Sequence, residues 1–322
     1  MDFYNQLLAR KLGGGGGDPN ETFKIYMSGD LTDITADMLE GSATIRSYAF
    51  YNDAKFKSIT IPSSVTTIGT CAFYGCTSLT SITIPSSVTS IERYAFWNSG
   101  IQQLNILSDS SIIYQGNYSV FGGCPQLTKV RTASSIGMYA FYNANYPPSQ
   151  YTSPNIETLE LLEGVQSIGM YAFMRTKIAS LTFPSSLTNI GNNAFAYTKI
   201  TSLTIPPTLA NIGQTAFENC TLLQDVTFSE GYKSFQSYLA FYNCTALEEV
   251  TFPSTITQLS SRPFSGCTSL TRITIKATTP PYSTQFLDGA DNAIIYVPAG
   301  SVDAYKSSWS TYASRIQAIP SD

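Results

Sequence analysis

The chain contains no histidine among its 322 residues. That removes the commonest general base and the commonest metal ligand. It also removes every nucleophile pair that depends on an imidazole. Paired carboxylates or a serine–lysine pair remain open, but no spacing in the sequence assembles either. Charge is the second scarcity. Asp, Glu, Lys and Arg make up 12% of the chain, about half the usual share. The 18 basic and 22 acidic residues leave a net charge of −4, with no basic tail or stripe. Proteins that grip phosphate backbones need clustered Lys and Arg, so nucleic acid is not expected as a partner. No apolar run approaches the ~18 residues of a membrane-spanning helix. The six cysteines lack CxxC-type spacing, so neither a metal nor a cofactor is expected.

What the chain does have is Tyr, Thr and Ser. The hydrophobic fraction is an ordinary 43%, and there are 21 tyrosines. Low charge with abundant Thr and Tyr suits a β-rich protein, because these side chains fit a pleated, half-buried surface. The segment from Ile61, IPSSVTTIGTCAFYGCTSLTSIT, returns from Ile84, Phe183, Ile205 and Phe252. The shared frame is an apolar residue and Pro, two further apolar residues at three-residue intervals, then Ala-Phe, then a short apolar–polar alternation. Phe50, Phe73, Phe96, Phe121, Phe141, Phe173, Phe195, Phe217, Phe241 and Phe264 recur at intervals of 20 to 32 residues. Such a period marks a solenoid whose coils bury one another's apolar faces.

The alternation in Leu79–Pro85 predicts a strand with one buried and one wet face. Proline cannot donate to a ladder, so Pro62, Pro85, Pro184, Pro206 and Pro253 should close the strands. Gly69, Gly169, Gly191 and Gly213 suit tight turns. The Ala-Phe pair sets a small residue beside a large one, so a stack of Phe rings can fill the coil.

The frame resembles the BspA-like leucine-rich repeats of bacterial surface proteins, and the resemblance covers about residues 41–320. It implies a right-handed leucine-rich-repeat coil, mainly β with short turns and a small C-terminal cap helix. It also implies an extracellular, adhesion-like role with no active site. The expected organisation is a head and Gly linker over 1–21, an N-terminal cap over 22–40, an array of about ten repeats over 41–293 and a C-terminal cap over 294–322. The array should be elongated and curved, with ~45–50 Å of stacked sheet at the standard strand spacing. Ile294–Ile319 is similar to the cap that closes such arrays. Met1–Leu12 lacks the basic and apolar regions of a secretory signal, although the family is exported. That leader also resembles those of prophage-encoded repeat proteins of gut Firmicutes, which gives a virion- or tail-associated binding module as the alternative. A carboxylate-based hydrolase is a further alternative.

Several constellations carry two readings each. Cys76, Cys124, Cys220, Cys244 and Cys267 follow the repeat Phe by three residues, which makes them a column of small buried hydrophobes. Ligation or disulfides would need convergence that stacked parallel coils do not supply. The outward strand face is mostly a Thr/Ser ladder, a structural motif in sheets. It is interrupted by Asn105, Lys129, Arg131 and Glu160, and again by Asp225, Glu249 and Arg272. These are either ordinary surface charges or a ligand footprint on a concave face. Tyr48, Tyr51, Tyr74, Tyr94, Trp97, Tyr139, Tyr142, Tyr171 and Tyr242 flank the Phe positions, as turn packing or as a stacking platform. Residues 107–120 and 144–156 break the frame and carry Tyr114, Tyr118, Tyr146 and Tyr151. Insertions in solenoids map to loops that often bind. Asp288, Asp291 and Asn292 miss calcium-loop spacing and suit a turn. The expected site is therefore Asn105, Tyr114, Tyr118, Lys129, Arg131, Tyr146, Tyr151 and Glu160. Its expected partner is a protein or glycan on a host or neighbouring cell, bound by a monomer.

Overall fold

A computed structural model describes residues 32–39, 42–107, 113–114, 119–142, 154–283 and 285–320. The chain coils as a parallel β-solenoid of about eleven turns and divides into two compact units, Met1–Thr176 and Lys177–Asp322. In the first unit, the strands Ser81–Ile84, Gln103–Ile106, Lys129–Thr132 and Thr158–Leu161 form one parallel sheet. Thr44–Ile45, Thr67–Ile68, Ser90–Ile91 and Ile113–Tyr114 form a second. In the second unit, Ser202–Ile205, Asp225–Phe228, Glu249–Phe252, Arg272–Ile275, Ile294–Val297 and Ile316–Ala318 pair in that order. Each regular coil thus carries one four-residue strand and one two-residue strand, joined by a proline turn. The proline carbonyl accepts the N–H three residues on, as in Val88 to Pro85 at 3.1 Å and Leu209 to Pro206 at 3.2 Å.

The alternation places its apolar members inward. Ile82, Ile84, Val88 and Ile91 are buried, as are Ala95, Phe96 and Ile101 of the same coil. The Phe rings form the predicted stack. Centroids of Phe50, Phe73, Phe96, Phe121, Phe141 and Phe173 follow one another at 4.9–5.2 Å. Phe195, Phe217, Phe241 and Phe264 repeat the arrangement in the second unit at 5.4–5.7 Å. Ala beside Phe has a second use. The Phe73 N–H donates to Ala95 O at 2.7 Å, and that of Phe217 to Ala240 O at 2.9 Å. The turn therefore continues the inter-coil ladder while a methyl leaves room for the ring.

Eight of the ten anchor Phe residues are flanked by two residues in the left-handed region, one two places before and one two places after. Tyr94 (φ 56°) and Asn98 (φ 53°) flank Phe96, and Arg262 (φ 52°) and Gly266 (φ 80°) flank Phe264. The later slot is filled repeatedly by Asn or Gly, the residues that tolerate that conformation. A Cβ on Gly266 would lie 2.1 Å from the Oδ1 of Asn243 one coil away, so glycine is needed there for space as well. The glycines assigned to tight turns have a different origin. Gly69 and Gly213 do not have left-handed φ. A Cβ on Gly69 would fall 2.5 Å from Ser47 N, and one on Gly213 2.4 Å from Asn192 N. Close approach of the preceding coil's backbone, rather than turn conformation, requires glycine here.

The cysteines take the predicted column, all buried and free. Each thiol of the column donates to the carbonyl of the preceding coil's Phe: Cys76 to Phe50 O at 3.0 Å, Cys244 to Phe217 O and Cys267 to Phe241 O at 3.1 Å. Cysteine therefore fills the slot as a small apolar group that also satisfies a buried acceptor.

One coil lies beyond the ten anchors. Gln285 (φ 54°) and Gly289 (φ 82°) flank Leu287 as Arg262 and Gly266 flank Phe264. Here the small–large order is inverted, with Phe286 in the Ala slot and Leu287 in the Phe slot. The Phe286 ring accordingly turns edge-on to Phe264, at 79° and 5.7 Å. The end of the array is covered by the helix Val302–Ser308. Its Tyr305 is fully buried and donates to Ala277 O at 2.9 Å. Trp309 closes the aromatic stack, 5.8 Å from Phe286.

Candidate functional site

The outward face of the first unit's four-stranded sheet brings together four of the expected site residues. Register sets Thr83, Asn105, Arg131 and Glu160 side by side across the sheet. Gln103, Lys129 and Thr158 form the adjoining row. The pleat forces this, because buried Leu104, Val130 and Leu159 alternate with them. Arg131 Nε lies 3.2 Å from Glu160 Oε2, with both side chains more than a third exposed. Such an exposed pair adds little stability, ~0–1 kcal/mol, and its geometry leaves both groups open to a ligand. Next to this row, Ser58, Thr60, Ser81, Thr83, Gln103 and Asn105 line a shallow groove of about 520 Å³. Its polar side chains are hydroxyls and amides, and Ile59, Ile61, Ile82 and Pro85 complete the lining.

Tyr114 is not on this face. Its backbone belongs to the strand Ile113–Tyr114, which pairs with Ser90–Ile91 in the second sheet. Tyr118, Tyr146 and Tyr151 lie outside the described residues.

The second unit holds the other break in the ladder. Asp225, Glu249 and Arg272 are direct neighbours in one row, and Arg272 stacks 4.5 Å over the Tyr296 ring. Among the described residues, no group of three or more acidic or cysteine side chains could hold a metal ion, and no helix is long and apolar enough to cross a membrane.

The tyrosines beside the Phe stack pack against one another. Tyr51 stacks on Tyr74 at 4.9 Å, and Tyr139 on Tyr171 at 5.0 Å. Each stack occupies one face of each ring. Tyr48 is 55% exposed and Tyr51 43%. The matching slots of the second unit hold Asn193, Thr215, Leu239 and Arg262 two residues before Phe, and Ala196, Glu218, Tyr242 and Ser265 after it. Tyr242 is the one aromatic among these eight, so a continuous tyrosine row is not a requirement of stacking.

A match to the BspA-type leucine-rich-repeat region, in six copies, spans residues 43–153, 146–271 and 230–295. Among solved structures, a leucine-rich repeat protein from Bacteroides ovatus shares 20% identity at a TM-score of 0.53, over 90% of this chain and 84% of that one. A leucine-rich cell surface protein from Faecalibacterium prausnitzii shares 23% identity at a TM-score of 0.38, over 90% and 88% of the two chains. No curated protein matches the chain. Repeat frame, coil geometry and family match agree, and the chain belongs to the BspA-type leucine-rich-repeat family.

Proposed function

We propose that the chain is a non-catalytic binding module of the bacterial cell surface, which engages a protein or glycan on a host or neighbouring cell. The observation that carries this reading is the row Asn105, Arg131 and Glu160, with Lys129 beside it. In a row that otherwise repeats Thr, from Thr60 to Thr274, charged and amide side chains meet here on one open face. Arg is prominent among interface anchors, and a rigid sheet fixes its backbone in advance, so only the side chain is ordered on binding. Tyr118, Tyr146 and Tyr151, whose segments break the repeat frame, are proposed as further contacts of the same ligand. The family supports a surface location, and the absence of histidine supports a role without turnover.

The test is an array of immobilised glycans and extracellular-matrix proteins, probed with the whole chain. Saturable binding to one of them is expected, lost when Arg131 and Glu160 are both changed to Ala. Hydrolysis of a glycoside, ester or peptide substrate, abolished by a single Asp or Glu substitution, would contradict the reading.

A further inference from the structure

The outward face of the first unit carries a charge that its own side chains do not balance. Lys129 and Arg131 project from one strand, and Glu160 stands beside Arg131 on the next. Glu160 meets the guanidinium at Nε, 3.2 Å away. The Lys129 side chain is exposed and has no ion pair or hydrogen bond among the described residues. Glu157, at the entry to the neighbouring strand, forms no ion pair with either cation. Asp33, a further carboxylate on this face, pairs in register with Ser58, several strands away from Lys129. Charges farther apart than ~8 Å are largely screened in physiological salt, so Asp33 does not neutralise the cations. A chain with a net charge of −4 thus presents a free ammonium and a half-exposed guanidinium together.

The cations adjoin the neutral groove directly. Gln103 is the register neighbour of Lys129, and Asn105 that of Arg131. From there the groove crosses Ser81 and Thr83 to Ser58 and Thr60, a span of ~10 Å at the standard strand spacing. Its volume of about 520 Å³ lies within the ~300–1,000 Å³ range of small-molecule sites. Five of these six side chains are exposed and Asn105 is half-buried, so their hydroxyls and amides are open to a ligand. Each of them both donates and accepts, as the hydroxyls of a sugar do. The half-buried Pro85 at the groove wall offers an apolar patch to a sugar's C–H face. A protein partner fits this face less well. Ser58, Ser81, Gln103, Lys129 and Thr158 in one row, and Thr60, Thr83, Asn105, Arg131 and Glu160 in the other, include no aromatic and no Met, the types enriched at the cores of protein interfaces.

We propose that this face binds an acidic oligosaccharide, one with an anionic sugar residue held by Lys129 and Arg131 and neutral residues laid along the groove towards Ser58. Charge complementarity selects the anionic residue, and the hydroxyl and amide lining selects the sugar. The inference rests on the binding-module reading and narrows its ligand to one class.

The test is calorimetric titration of the whole chain with matched acidic and neutral probes. Sialyllactose and sulfated lactose are compared with lactose, and trigalacturonate with its methyl ester. At least one acidic member is expected to bind saturably and at least about tenfold more tightly than its neutral counterpart, the worth of one hydrogen bond to a charged group. The sialyl and galacturonate arms identify a carboxylate, and the sulfated arm a sulfate ester. Lys129→Gln should weaken that probe about tenfold. Glu160→Gln should tighten it by up to about fivefold, because it removes an exposed like charge. Thr83→Val should weaken it roughly three- to tenfold, the worth of one neutral hydrogen bond. All three substitutions are on the surface and should leave the melting temperature nearly unchanged. Equal affinity for acidic and neutral members, or acidic binding indifferent to Lys129→Gln, would overturn the inference. A protein or neutral glycan bound through Arg131 would do the same while the binding-module reading stands. An absence of saturable binding to any glycan or matrix protein would defeat both.

Discussion

At the residue scale, glycine and cysteine show most clearly how sequence signals become physical constraints. Both were visible as columns at fixed register, but the cause of each column was not. Whether a glycine serves its own φ or its neighbour's backbone depends on inter-coil distance, which a single repeat does not carry. Gly266 is constrained both ways, by φ 80° and by Asn243. Gly266→Ala should destabilise by about 1–3 kcal/mol. Gly300→Ala, with nothing within 4 Å of its Cβ, should stay within ~0.5 kcal/mol. Chemical denaturation of the two variants separates these values. The buried thiols make a pH prediction. Burial pushes the Cys124 thiol up to about 11 from an ordinary 9.0, against smaller opposing contributions from Ser99 and neighbouring backbone. The folded state thus prefers the protonated thiol. That stabilisation is complete below pH 9.0 and is lost as pH rises from 9.0 through about 11, a total loss of about 3 kcal/mol. The melting temperature of the native chain should therefore fall across this interval more steeply than that of Cys124→Ala. Parallel slopes would show that Cys124 is not the group responsible.

At the element scale, the four-residue strand and its closing proline were legible, because apolar alternation and Pro85, Pro206 and Pro253 are local signals. The two-residue strands were not. A pair such as Ser90–Ile91 has no periodicity of its own and exists only through its neighbours in adjacent coils. The coil around Leu287 was missed for a related reason. Inverting Ala-Phe to Phe286-Leu287 erases the anchor from the sequence frame while the flanking left-handed turns survive. Within each unit the Phe stack is continuous, and every interior ring contacts one on each side. Phe217→Ala should cost about 3–5 kcal/mol. Its partners Phe195 and Phe241 stand in line at 5.7 and 5.4 Å and cannot both close the gap. A loss below about 1 kcal/mol on denaturant unfolding would mean that the stack is not a principal source of stability.

At the scale of the whole molecule, one coil is used repeatedly and its exposed positions vary. The fold was legible because period and core positions repeat. The site was less so, because a binding surface is written in departures from the repeat, and a single sequence shows a departure without its purpose. Register is what brought Asn105, Arg131 and Glu160 into one row, and it also put Tyr114 on the other sheet. Arg131 and Glu160 are exposed and paired mainly with each other, so replacing both with Ala should change folding stability by only ~0–1 kcal/mol.

That separation of binding from stability allows a direct test of the central claim. The measurement is the affinity of the native chain, of Arg131→Ala/Glu160→Ala and of Asp225→Ala/Glu249→Ala for the component identified on the glycan and matrix-protein array, with melting temperatures recorded alongside. The account predicts that the first double variant loses binding at least about tenfold, in line with an anchor worth over 1 kcal/mol, at an unchanged melting temperature, while the second binds as the native chain does. Full affinity in the first variant together with loss in the second would place the binding surface in the second unit and contradict the account.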